Sequence, residues 1–121
     1  MISVHVSEKE IQKTILDYLM YLENAGDVYY FRNNSFAGKF ERVDGSQGFI
    51  KNNKKGMPDI IVCYKGYFIG LEVKTAKGEQ SIWQVMSEAA IKSAGGQYFI
   101  VRSLDDVQNI FIEIDRGEVK E

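Results

Sequence analysis

Apolar residues recur at helical spacing near the start of the chain. Ile11, Ile15, Tyr18, Leu19 and Leu22 fall on one face, which predicts an amphipathic helix over residues 7–23. Ser7 followed by Glu10 has the spacing of a capping box. An aromatic-rich run at 28–32 predicts a strand. The periodicity then stops. Residues 33–57 are polar, carry Gly38, Gly45, Gly48 and Gly56, and have paired asparagines at both ends. A loop of this length is expected to be functional or disordered, with part of it, residues 48–51, adding a short strand.

Two apolar runs follow, 59–64 and 67–74, separated by Lys65-Gly66. That pattern predicts two strands joined by a tight hairpin turn. Both runs are apolar on both faces, so they belong in the interior of a sheet. A helix is expected over 81–94, ended by Gly95-Gly96, then a strand over 97–102 and a helix over 104–114. The order α-β-loop-β-β-α-β-α predicts one α/β domain over residues 1–121, a mixed central β-sheet flanked by helices.

Composition narrows the classes. Of the 121 residues, 45% are apolar and 26% charged, as in ordinary globular proteins. The one cysteine, Cys63, excludes an internal disulfide framework and a cysteine zinc site, and its apolar surroundings read as those of a small buried hydrophobe. No apolar stretch approaches the ~20 residues needed to cross a bilayer. The first residues lack the basic-then-apolar order of a signal peptide, so a cytoplasmic setting is expected. The single histidine, His5, stands near the terminus and reads as inert. The net charge of −2 does not advertise nucleic-acid binding by sheer charge. Positive charge is nevertheless local: Lys51, Lys54 and Lys55 cluster, with Lys39 and Arg42 upstream and Lys77 further on. These are the candidate nucleic-acid contacts, and a solvated loop reads as well from the same residues.

The hairpin carries the candidate chemistry. With a two-residue turn, Tyr64 pairs with Tyr67, and counting back places Asp59 opposite Glu72. Directly opposed Cβ atoms lie roughly 4.5–5.5 Å apart. Two carboxylates so placed repel, and burial worsens it. A divalent cation supplies the compensation, since Mg²⁺ is commonly held by one or two carboxylates, water and phosphate. Lys74, two residues beyond Glu72, projects from the same face and would hold a phosphate or orient a water. A three-residue turn with a bulge would break this arrangement by turning one carboxylate to the other face. Asp59 as a turn cap, with Glu72 and Lys74 as a surface pair, is the structural alternative, and the apolar neighbours of Glu72 weigh against it.

Gly56-Met57-Pro58-Asp59 followed by Glu72-Val73-Lys74 resembles the PD-(D/E)xK nuclease signature. More narrowly, the chain resembles the VRR-NUC branch, the virus-type replication–repair nucleases. The further matches are Glu10-Ile11-Gln12, Phe31-Arg32-Asn33-Asn34, a helix containing Gln84, and Gly95-Gly96 leading into Tyr98-Phe99-Ile100-Val101-Arg102-Ser103. The resemblance spans residues 8–107. It implies a restriction-endonuclease-like core and a Mg²⁺ or Mn²⁺ site held by Asp59, Glu72 and the Val73 carbonyl. It also implies a catalytic Lys74, an approach to the metal by Glu10, and Gln84 at the rim. Glu10 has a second duty available in the capping box, and Glu8 is the carboxylate that would replace it. Gln84 facing solvent also stays open, and Trp83 beside it reads as a core or subunit contact.

The resemblance further implies a metal-dependent DNA endonuclease acting on branched or structured DNA, as a Holliday-junction resolvase does, in a bacterial cell or phage-infected host. A chain this small covers little DNA alone, so a homodimer is expected, with 29–31 or the C-terminal helix as contact surface. The alternatives are a catalytically silent DNA-binding module, a restriction-type cutter lacking an evident base reader, and an interaction protein with an incidental acid pair.

Overall fold

Serine begins every helix of the fold. In the computed structural model, which describes residues 6–33, 37–51 and 54–118 (the side chains of 37, 38, 50 and 51 excepted), Ser7, Ser81 and Ser103 are the N-caps. Each side-chain oxygen accepts from the backbone N–H three residues on, which contributes about 1 kcal/mol per cap. The helices are α1 (Glu8–Asn24), α2 (Ile82–Ser93) and α3 (Leu104–Asp115). The strands are β1 (Tyr29–Arg32), β2 (Ala37–Glu41), β3 (Gln47–Lys51), β4 (Ile60–Tyr64), β5 (Tyr67–Val73) and β6 (Gln97–Val101).

The main sheet has the order β1-β4-β5-β6. β4 is antiparallel to both β1 and β5, and β6 is parallel to β5, so the sheet is mixed, as expected. The strands apolar on both faces, β4 and β5, occupy its centre. Alternation along them gives the sheet two different faces. One carries Ile60, Val62, Tyr64, Ile69, Leu71 and Val73 into a core closed by Ile11, Ile15 and Leu19 of α1 and Val107, Ile110, Phe111 and Ile114 of α3. The other carries Ile61, Cys63, Phe68, Gly70 and Glu72, and α2 lies against its β6 side. No residue of α2 is buried, so this second face is only partly covered.

Cys63 pairs with Tyr29 and Phe68 on that open part and is exposed, which corrects its reading as a buried residue. An apolar run marks a central strand but does not say which of its faces receives a helix.

The turn between β4 and β5 has two central residues, Lys65 and Gly66, with φ of 50° and 85°. Two positive φ values make it a type I′ turn, whose twist matches that of the strands it joins. Lys65 is held in this conformation by its ammonium, 2.6 Å from Asp115 Oδ1. Asp115 Oδ1 also accepts the Tyr64 hydroxyl at 2.6 Å, which ties the turn to the end of α3.

The polar segment before β4 differs from the expected loop with one short strand. β2 and β3 form an antiparallel hairpin, and its tip is closed by Asp44 Oδ1 accepting from Ser46 N and Oγ. The Phe40 ring lies over Gly48, where a Cβ would come within 2.3 Å of it. The Arg42 guanidinium stacks 5.1 Å from the same ring's centroid. Polar and glycine positions mask the alternation here, so the hairpin was not readable from hydrophobic pattern.

Candidate active site

Pro58 sets the approach to the site. It is buried against Gly70, where a Cβ would come within 2.7 Å of the Pro58 ring. Asn33 N donates to the Asp59 carbonyl at 2.8 Å, which fixes the backbone beside the end of β1. The β4–β5 ladder reaches Ile60 opposite Leu71, and one step further along it Asp59 faces Glu72. The two-residue register therefore holds. Asp59 Oδ2 accepts the Val73 N–H at 2.8 Å across the hairpin, which anchors the carboxylate on β5.

Glu72 is 1% exposed and lies among apolar strands. Its Oε1 is buried and has no hydrogen-bond partner among the described residues. Its Oε2 lies 3.9 Å from the Lys74 ammonium, too far for a strong bond and near enough for attraction. Burial pushes the Glu72 carboxyl up to about 9. A proton-sharing contact with Asp59, the Asp59 charge and the more distant Glu8 push the same way, and Lys74 opposes them. At neutral pH this carboxyl keeps its proton unless a cation replaces it.

Lys74 follows β5, where its N–H donates to the Val101 carbonyl at 3.0 Å. Its stem packs on Gly78, whose Cβ position lies 3.3 Å from it. Arg102, the residue after β6, pins that turn: Nη1 donates to the Thr75 carbonyl and, at 2.9 Å, to that of Gly78. Arg102 thus positions the lysine segment, a role that its place in the sequence motif did not disclose. Tyr98 is buried beside the site, and burial raises its hydroxyl to about 12, so it stays a neutral phenol that accepts from Gln80 Nε2 at 3.2 Å.

The other candidates are placed as follows. Glu10 is exposed at the start of α1, where its Oε1 accepts from the Ser7 hydroxyl at 3.1 Å. Glu8, not Glu10, is the α1 carboxylate whose charge registers at Glu72. Gln84 completes the capping box of α2, its Oε1 accepting from Ser81 N at 2.9 Å. Lys39 and Arg42 stand on the β2–β3 hairpin, and Lys77 is exposed in the turn after Lys74. Lys55 lies with its ammonium 4.8 Å from the Trp83 ring centroid, and Lys54 precedes it. Trp83 is not a core residue, being 47% exposed. The Lys51 side chain, Asn34 and His5 lie outside the described residues.

Among the described residues no group of three His, Cys, Asp or Glu side chains converges on one point. The acid pair does fit a hard divalent ion. It offers oxygen donors only, one of them a buried oxygen without a partner, and Mg²⁺ takes its remaining ligands from water and phosphate. Asp59, Glu72 and the Val73 carbonyl would hold it.

No family model and no curated protein sequence matches the chain. A solved structure titled "VRR_NUC domain" does, with a TM-score of 0.57 and 19% identity, over 86% of this chain and 92% of that chain. At that identity the likeness is one of fold. The chain has the mixed α/β fold of that domain, as its motifs led one to expect.

Proposed function

We propose that this chain is a metal-dependent DNA nuclease whose working residues are Asp59, Glu72, Val73 and Lys74. One observation carries the reading: a buried carboxylate oxygen with no hydrogen-bond partner among the described residues faces a second carboxylate, with an ammonium 3.9 Å away from the same group. Such a pair costs stability unless a cation joins it. When bound there, Mg²⁺ or Mn²⁺ supplies Lewis acidity and a water acidic enough to attack a phosphodiester.

The chain's own residues do the rest. Asp59 is held in place by the Val73 N–H, so its carboxylate already stands beside Glu72 where a ligand is needed. Lys74 places an ammonium beside the acid pair, where it neutralises a phosphate oxygen and orients the attacking water. The apolar neighbours of Glu72 exclude bulk water and strengthen both effects.

The substrate in this proposal is branched or structured DNA cut internally, as by a Holliday-junction resolvase. The protein works as a cytoplasmic homodimer that brings two sites to one junction. Glu8 is the acidic residue of α1 nearest in effect to the site, and Glu10 and Gln84 serve the helix caps first. Lys39, Arg42, Lys51, Lys54, Lys55 and Lys77 are the proposed backbone contacts. A four-way DNA junction with Mg²⁺ or Mn²⁺ is the test. Asp59→Ala and Lys74→Ala are each expected to slow cleavage at least ~100-fold. Unchanged cleavage by Asp59→Ala would rule out this site, and no cleavage by the intact protein would leave a silent binding module.

A further inference from the structure

A groove of about 930 Å³ runs between α2 and the open face of the sheet, outside the acid pair. Its walls are Phe68 of β5 and Trp83, Met86 and Ile91 of α2, with Lys54 and Lys55 at one end. The groove exists because α2 buries no side chain: Phe68, Trp83 and Met86 are 46%, 47% and 56% exposed. Three large apolar side chains left open side by side mark an interaction surface.

The charge on it is uneven. Among the described residues no carboxylate lines the groove, although the chain as a whole carries −2. Lys65, at the far end, is bound to Asp115, and at the other end Lys54 and Lys55 stand together, the Lys55 ammonium 4.8 Å from the Trp83 ring centroid. That end adjoins the acid pair. Gly56 is seated on the first turn of α2, where a Cβ would come within 2.1 Å of the Trp83 carbonyl, and Asp59 follows three residues on. A strand whose scissile phosphate sits at Asp59 and Glu72 therefore has its neighbouring phosphates near Lys55.

We propose that this groove holds a single-stranded arm of the DNA substrate, its bases stacked on Trp83 and Phe68 and its phosphates on Lys54 and Lys55. The inference rests on the nuclease reading and deepens it: within branched DNA, the preferred substrates are those with an unpaired stretch beside the cut, including a junction whose base pairs open at the crossover. Aromatic platforms next to cations are what single strands require, since every base offers a π-face and every nucleotide a negative charge. A paired duplex keeps its bases stacked on one another and has none to offer Trp83. A second copy fits less well, because a two-fold contact over the groove would bring lysines against a surface that has no carboxylate among its described residues.

Trp83 is the only tryptophan, so its emission reports on the groove directly. The full chain is titrated with oligothymidylate, and separately with duplex of equal length, in chelator to prevent cleavage. Saturable quenching is expected, with affinity for the single strand about tenfold or more above that for duplex. By anisotropy of a labelled oligothymidylate, Phe68→Ala and Trp83→Ala are each expected to weaken binding about tenfold, while Trp83→Phe, which keeps a stacking ring, retains it. Lys55→Gln is expected to lower the slope of log affinity against log salt by about one.

Absence of quenching, equal quenching by duplex, or an emission change that follows protein concentration alone would overturn the proposal. Cleavage that requires Asp59 without any quenching removes the groove and leaves the active site standing. Quenching by a protein whose cleavage ignores Asp59→Ala supports the groove and removes the site.

Discussion

Glu72 concentrates the tension of this fold in one side chain. A carboxyl 1% exposed, opposite another carboxyl and with one oxygen unpartnered, is a stability defect in the metal-free protein. Its ordinary value of 4.5 is raised to about 9 in the fold, chiefly by burial. Between those values the folded chain holds a proton that the unfolded chain has released. Glu72's contribution to metal-free stability is therefore fully present below the lower value and is lost as pH rises through this window. Glu72→Gln removes the charge and keeps the shape. At pH 8 without metal it is expected to raise stability by about 1–3 kcal/mol, to flatten the pH dependence, and to abolish cleavage. Thermal melts at pH 5 and pH 8 check the first two points. Equal melting of both proteins at both values would contradict the account of Glu72.

Among elements, the β4–β5 hairpin matters most, because its register decides whether two carboxylates share a face. The type I′ turn sets that register, and Gly66 at φ 85° supplies the conformation. A Cβ at Gly66 would meet no atom within 4 Å, so Gly66→Ala costs backbone strain alone. Urea denaturation is expected to show a loss of roughly 1–2 kcal/mol, and no loss would mean that the turn relaxes to another type.

This hairpin was legible in the sequence because apolar runs bracket a lysine–glycine pair, and counting then placed Asp59 and Glu72. The first helix was legible through its serine cap and apolar spacing, and the second through the Gly95-Gly96 pair that ends it. The β2–β3 hairpin was not, since Gly38, Gly45 and Gly48 and the polar residues between them conceal a period of two. The exposure of Cys63 and Trp83 was not legible either, because it depends on how much of one sheet face α2 covers.

For the whole molecule, the two sheet faces lead to different duties. α1 and α3 seal one face into the core, and the other keeps the acid pair at one end and open aromatic surface beyond it. Of the two proposed dimer surfaces, α3 already commits Ile110, Phe111 and Ile114 to the core. Tyr29 and Phe31 on the edge strand β1 remain 66% and 46% exposed. A dimer joined through that edge is expected to dissociate when both are replaced by glutamate, while each protomer stays folded. Sedimentation across a concentration series checks this, and a concentration-independent monomer in the unaltered protein would contradict the dimer.

The central claim is that Asp59, Glu72 and the Val73 carbonyl hold a divalent ion. Anomalous diffraction from a crystal soaked in Mn²⁺ measures this directly. The account predicts a manganese peak at roughly 2.0–2.2 Å from one oxygen of each of these three residues, with Lys74 close by but not a ligand. A peak at other residues, or none at the acid pair under saturating Mn²⁺ at neutral pH, would contradict it.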